Sequence, residues 1–149
     1  RMLSEGHVVG FHSMDHQNAM VRGYLHTRKD FRTGSEFMKR KGISDIWYRP
    51  PWGLTNLFSW HFVRKYGMKM VLWDVMAEDW ERGATAGSIR KKCLSRVKDG
   101  SILCLHDGGR RTGGAPGAPE KTLEALTYVI PALKEAGYRF ILPSEAVFR

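Results

Sequence analysis

Long apolar runs are missing from this sequence. Nowhere do enough hydrophobic residues follow one another to cross a bilayer, so no membrane-spanning segment is expected. The first residues, Arg1-Met2-Leu3-Ser4-Glu5-Gly6, do not make the basic-then-apolar pattern of a secretory signal. Cysteine is scarce too: Cys93 and Cys104 stand without a C-x-x-C pattern, which excludes a disulfide framework and a cysteine-rich metal site. Proline is held to six residues, while 42% of the chain is hydrophobic and five Trp are spread along it, so disorder and low-complexity fibres are excluded. Acidic residues are the minority, 15 Asp and Glu against 24 Lys and Arg, for a formal charge of +9. That surplus suits an anionic envelope or an acidic glycan. The basic residues are dispersed and no recognition motif accompanies them, so nucleic acid is not expected as a partner.

What is present is 149 residues, the length of one domain with a sizeable core. Gly6 closes what reads as the last turn of a helix, which makes an upstream segment expected. Residues 7–11 read as a buried strand and residues 17–41 as one or two amphipathic helices. Residues 43–48 form a strand that must stop at Arg49-Pro50-Pro51-Trp52-Gly53, where two prolines forbid further pairing. Thr55 or Asn56 caps a helix with Phe58, Phe62, Val63 and Tyr66 on one side, closed by Gly67. Residues 68–75 are a near-continuous apolar strand. A helix over 88–98, a strand over 101–105, a helix over 122–136 with Pro131 as a kink or restart, and a last strand over 138–142 follow. This alternation predicts an α/β protein with a mostly parallel sheet or barrel, whose site lies beyond the carboxyl ends of the strands.

The segments at those ends carry chemistry. His12 and His16 are four residues apart, the spacing that brings two imidazoles to one face of a helical turn and suits a tetrahedral metal; alone, the pair reads more readily as surface or satisfied histidines. A catalytic metal site needs a third protein ligand from elsewhere. Arg49, always charged, can hold a carboxylate bidentately or simply make a surface ion pair. His106 leaves the 101–105 strand beside Asp107, where a general acid or base near neutral pH would stand. Trp52 and Trp80 can line a sugar or acyl pocket, or pack into the core.

Taken in order, these segments resemble the NodB-type polysaccharide deacetylases, carbohydrate esterase family four. His12-Ser13-Met14-Asp15-His16 is similar to the family's H-S/T-x-x-H motif, and Arg49-Pro50-Pro51-Trp52-Gly53 to R-x-P-x-G. The stretch from Trp73 to Trp80 is similar to the D-x-x-D-W region, and Leu103-Cys104-Leu105-His106 to the closing L-x-H. The resemblance spans nearly the whole chain. It implies one NodB-homology domain over residues 1–149, a distorted (β/α) barrel whose first strand or strands lie outside this chain. It also implies metal-dependent removal of N-acetyl groups from an amino-sugar polymer such as peptidoglycan or a chitin-like glycan, outside the cell or in its envelope.

In that scheme His12 and His16 hold a divalent metal, zinc first among candidates, which acidifies a bound water and polarises the acetamide. Arg49 orients the catalytic base and the backbone N–H of Trp52 helps hold the oxyanion. His106 protonates the departing amine, and Trp80 walls the acetyl methyl. Three departures accompany the likeness. The family's first, Asp-Asp motif, which supplies the base and the third metal ligand, has no counterpart and is expected from a segment before Arg1. The aspartate that partners the histidine falls at Met76, with Asp74 and Asp79 as substitutes, although Asp79 lies beyond the strand face that Asp74 and Met76 share. Cys104 replaces the leucine of L-x-H and widens the acetyl pocket. These departures keep a second reading open: a carbohydrate-binding protein of the same fold without turnover.

Overall fold

The computed structural model describes residues 1–108 and 113–145. The chain divides into two compact units, Arg1–Leu72 and Trp73–Arg149.

In the first unit, α1 (Tyr24–Arg40), β1 (Trp47–Tyr48), α2 (Leu57–Lys65) and β2 (Lys69–Met70) follow in order. β1 and β2 are parallel, with Trp47 opposite Lys69 and Tyr48 opposite Met70. On the other edge of β1, Phe11 makes a parallel bridge to Tyr48: its N–H donates to the Trp47 carbonyl at 2.6 Å and its carbonyl accepts from the Arg49 N–H at 2.9 Å. The expected strands over 7–11 and 43–48 are thus paired only at their ends, next to His12 and Arg49. α2 starts where it does because Asn56 and Ser59 cap each other reciprocally, and it ends before Gly67, whose φ of 62° suits a residue without a Cβ. Phe11, Phe31, Met38, Ile46, Tyr48, Phe62, Val63 and Met68 form the buried core of this unit. Gly34 on α1 lets the Phe11 ring lie directly on the helix backbone; a Cβ there would stand 2.3 Å from the ring.

In the second unit, β3 (Val75–Met76), α3 (Ala86–Arg96), β4 (Leu103–Cys104) and α4 (Ala118–Glu135) follow. β3 and β4 are again parallel, with Val75 opposite Leu103 and Met76 opposite Cys104. Asp74 ties their entrances together, accepting the Ile102 N–H at 2.7 Å and the Ser101 hydroxyl at 3.0 Å. Thr85 and Ser88 make the capping box that starts α3. The core here is built of Ala77, Ala84, Ile89, Cys93, Ala125, Val129 and Leu133.

Each unit therefore holds parallel neighbours joined through a helix, the α/β pattern anticipated from the sequence. Three expectations need correction. The apolar run 68–75 is not one strand: β2 pairs with β1, β3 pairs with β4, and the chain leaves the ladders between them. Residues 138–142 join no ladder among the described residues, although Tyr138 packs on the core of the second unit. α4 begins at Ala118, not at 122, and runs through Pro131 as one helix. No helix of the described residues is long and apolar enough to cross a membrane.

Candidate active site

The first unit brings His12, His16, Arg49 and Trp52 together. His12 directly follows the bridged Phe11, and Arg49 directly follows β1, so one hydrogen-bonded step of backbone sets both. The His12 Nδ1 lies 2.6 Å from the Arg49 carbonyl. A carbonyl only accepts, so Nδ1 carries the proton, and in the neutral ring Nε2 is then the nitrogen available to a metal. The His12 and His16 ring centroids are 5.0 Å apart and the His16 ring meets the Trp52 ring at 4.5 Å, edge to face.

The spacing did not achieve this as expected. Residues 12–16 form no helical turn; Ser13 (φ 66°) and His16 (φ 52°) both take left-handed backbone, and it is this loop that turns the two rings toward each other. Trp52, φ 53°, is another left-handed residue, and its side chain is 56% exposed, as a substrate platform needs and a core residue does not. The Arg49 guanidinium donates to the Leu72 carbonyl at 3.3 Å. The donor set fits a divalent metal for two of its positions. No group of three or more His, Cys, Asp or Glu capable of holding an ion occurs among the described residues.

The second unit brings together His106, Asp79, Trp80 and Thr122. Asp79 is fully buried and accepts three hydrogen bonds: from the His106 Nδ1 at 2.8 Å, the His106 backbone N–H at 2.7 Å and the Thr122 hydroxyl on α4 at 2.9 Å. Burial pushes the Asp79 carboxyl up, but these donors together outweigh it and hold the group below its ordinary range. The hydrogen bond to Asp79, helped by one to the Cys104 sulfur, raises the His106 imidazole from 6.5 to about 9, against a smaller opposing effect of burial. The Trp80 ring sits 4.7 Å from the His106 ring, edge to face.

The partner of His106 is therefore Asp79, and the expectation that its place falls to Met76 is corrected. An ideal strand would carry Asp79 past the face of Asp74, but Glu78 takes a left-handed conformation, φ 49°, and the chain turns inward there. The Glu78 carboxylate is gripped by Lys92 at 2.8 Å and Arg96 at 2.9 Å, both on α3, and Arg96 also donates to the Met76 carbonyl. Asp74 is spent on Ser101 and Ile102. Thr122, four residues into α4, was not legible as a site residue because nothing in its own neighbourhood marks it.

Comparison with known proteins agrees with the motifs. The family described as polysaccharide deacetylase matches residues 1–71. A peptidoglycan-N-acetylglucosamine deacetylase of Bacillus cereus is 31% identical over 97% of this chain and 65% of its own length. A chitooligosaccharide deacetylase of Azorhizobium caulinodans is 30% identical over 90% of this chain and 66% of its own. The chain thus spans just under two thirds of the length of these relatives. Among solved structures, a family 4 acetyl xylan esterase from Clostridium thermocellum in complex with a cobalt ion superimposes with a TM-score of 0.80 at 28% identity, covering 97% of this chain and 66% of that one. The motifs in chain order, the alignments across nearly all residues and the common α/β fold agree: the chain is similar to the NodB-type polysaccharide deacetylases, carbohydrate esterase family four.

Proposed function

We propose that the protein containing this chain is a metal-dependent hydrolase that removes N-acetyl groups from an amino-sugar polymer, peptidoglycan first and chitin-like oligomers next, outside the cell or in its envelope. Residues 1–149 act as one NodB-homology domain in it. The observation that carries the reading is the Asp79–His106 pair. A histidine raised to about 9 is protonated at neutral pH, which is the state a general acid must be in before the amine departs. The exposed Trp52 and the Trp80 ring beside His106 give a sugar and its acetyl methyl flat apolar surfaces to rest on.

His12 and His16 would hold the metal, zinc by preference, through Nε2 of His12 and the ring of His16. A metal bound there supplies an acidified water and a polarised acetamide carbonyl. Arg49 orients the carboxylate base, the Trp52 backbone N–H faces the developing oxyanion, and His106 transfers its proton to the leaving nitrogen while Asp79 keeps the ring in register. The base and a third, carboxylate ligand come from a segment outside residues 1–149. The positive surplus of the chain favours contact with an anionic wall polymer.

The absence of a third ligand among the described residues favours a second reading, a sugar-binding protein without turnover. One experiment separates the two. In the full-length protein, His12→Ala is expected to reduce bound zinc and acetate release from peptidoglycan and N-acetylglucosamine oligomers together. Glycan binding with no acetate release by the unsubstituted protein would establish the second reading, and acetate release that survives complete metal removal would overturn the first.

A further inference from the structure

The turn that bears the two histidines is held by a carboxylate that none of the motifs contains. Ser13 and His16 both occupy left-handed backbone, which L side chains adopt at a cost and keep only when their surroundings enforce it. What enforces it comes from α1, sixteen residues away. The Asp30 Oδ1 accepts the Met14 N–H at 2.7 Å. One turn earlier on the same helix, the His26 Nε2 lies 3.4 Å from Asp15, whose Oδ1 accepts from the Ser13 hydroxyl at 3.2 Å and the Gln17 N–H at 3.3 Å. His26 and Asp30, i and i+4 on one helix face, thus meet the turn at Asp15 and at Met14.

Asp30 itself sits in a poor place for a charge. It borders a small recess with Ser13, His26, Thr27, Phe31 and Tyr48, and burial there pushes its carboxyl above the ordinary value, against the opposing hydrogen bond from Met14. An acid at this seam is costly unless it has a donor, and the Met14 N–H of the histidine turn supplies one.

We infer that Asp30 is a positioning residue for the metal centre: by holding the Met14 N–H it fixes the left-handed turn that keeps the His12 and His16 rings side by side. This rests on the reading of His12 and His16 as metal ligands. The test uses the full-length protein. In zinc titrations against a chromophoric chelator, Asp30→Ala is expected to weaken binding by roughly tenfold or more, the scale on which lost outer-shell partners act. Asp30→Asn, which keeps an acceptor oxygen at the same place, should stay within about threefold of the unsubstituted protein, a rescue that a general packing defect would not give.

Thermal unfolding of each variant accompanies the titration. Zinc binding by Asp30→Ala as tight as that of the unsubstituted protein overturns the inference. A second measurement does not need that variant to fold: in the metal-free protein the Met14 amide is expected to exchange slowly with deuterium, and fast exchange overturns the inference equally. If Met14 is protected while the unsubstituted protein binds no zinc, the metal reading fails and the grip of Asp30 on the turn stands.

Discussion

The Asp79 carboxylate holds His106 twice, through the ring Nδ1 at 2.8 Å and through the backbone N–H at 2.7 Å. The two bonds do different things. The backbone bond fixes the chain two residues past the end of β4, and the ring bond fixes tautomer and charge, so that Nε2 is the proton-bearing edge left free of Asp79. A single buried side chain thus links strand-end geometry to acid strength.

Asp79→Asn separates these effects. The raised imidazole contributes stability that is complete below 6.5 and is lost as pH climbs through about 9. The depressed carboxyl contributes stability that is present above 3.8 and is lost as pH falls through its lower folded value. With Asn at 79, the His106 midpoint followed by NMR should fall by more than about one unit, and the decline in stability between neutral and alkaline pH should flatten. In the full-length protein the alkaline limb of kcat should move the same way. A midpoint unchanged by the substitution would mean that Asp79 does not set the charge of His106.

Met76→Asp adds a carboxylate at a position where His106 does not need one. Met76 lies in β3 opposite Cys104, and Asp79 already holds His106. The expected result is no gain in acetate release, a His106 midpoint within about half a unit of the original, and a loss of about 1–3 kcal/mol from partly burying a carboxylate. A rise in turnover together with a shifted midpoint would show instead that Met76 disables the pair.

Sequence reading found the strand ends beside Arg49 and His106 and the helices α2, α3 and α4, because those signals are local: prolines after Arg49, the Asn56 cap, glycines at helix ends, apolar spacing. What it missed was set at a distance. The two histidines looked helical because spacing reports a period and not a backbone sign, and the left-handed residues Ser13 and His16 are stabilised by Asp30 from another element. Asp79 looked misplaced because the turn at Glu78 depends on Lys92 and Arg96 across the unit. The apolar run 68–75 looked like one strand because hydrophobicity encodes burial but not which neighbour supplies the ladder. The 138–142 segment has strand composition and finds no ladder partner among the described residues.

Gly34→Ala tests how tightly α1 and the strand before His12 are set against each other. Alanine in a helix interior gains about 1 kcal/mol over glycine in propensity, so a site with room would be stabilised. Here the added methyl would meet three atoms of the Phe11 ring at 2.3, 2.4 and 2.8 Å. The ring has little freedom to yield, since it is 4% exposed and lies against Phe31 and Tyr48, with ring centroids 5.8 and 5.5 Å away. Overpacking of this kind costs about 1–3 kcal/mol, enough to cancel the propensity gain and leave a net loss. The expected outcome is a lower Tm, partly recovered by Phe11→Leu in the same chain, and weaker zinc binding because Phe11 precedes His12 and any shift of its backbone moves that ring. A Tm equal to or above the original would mean that Phe11 is free to move aside, and that the close approach of α1 does not fix the position of His12.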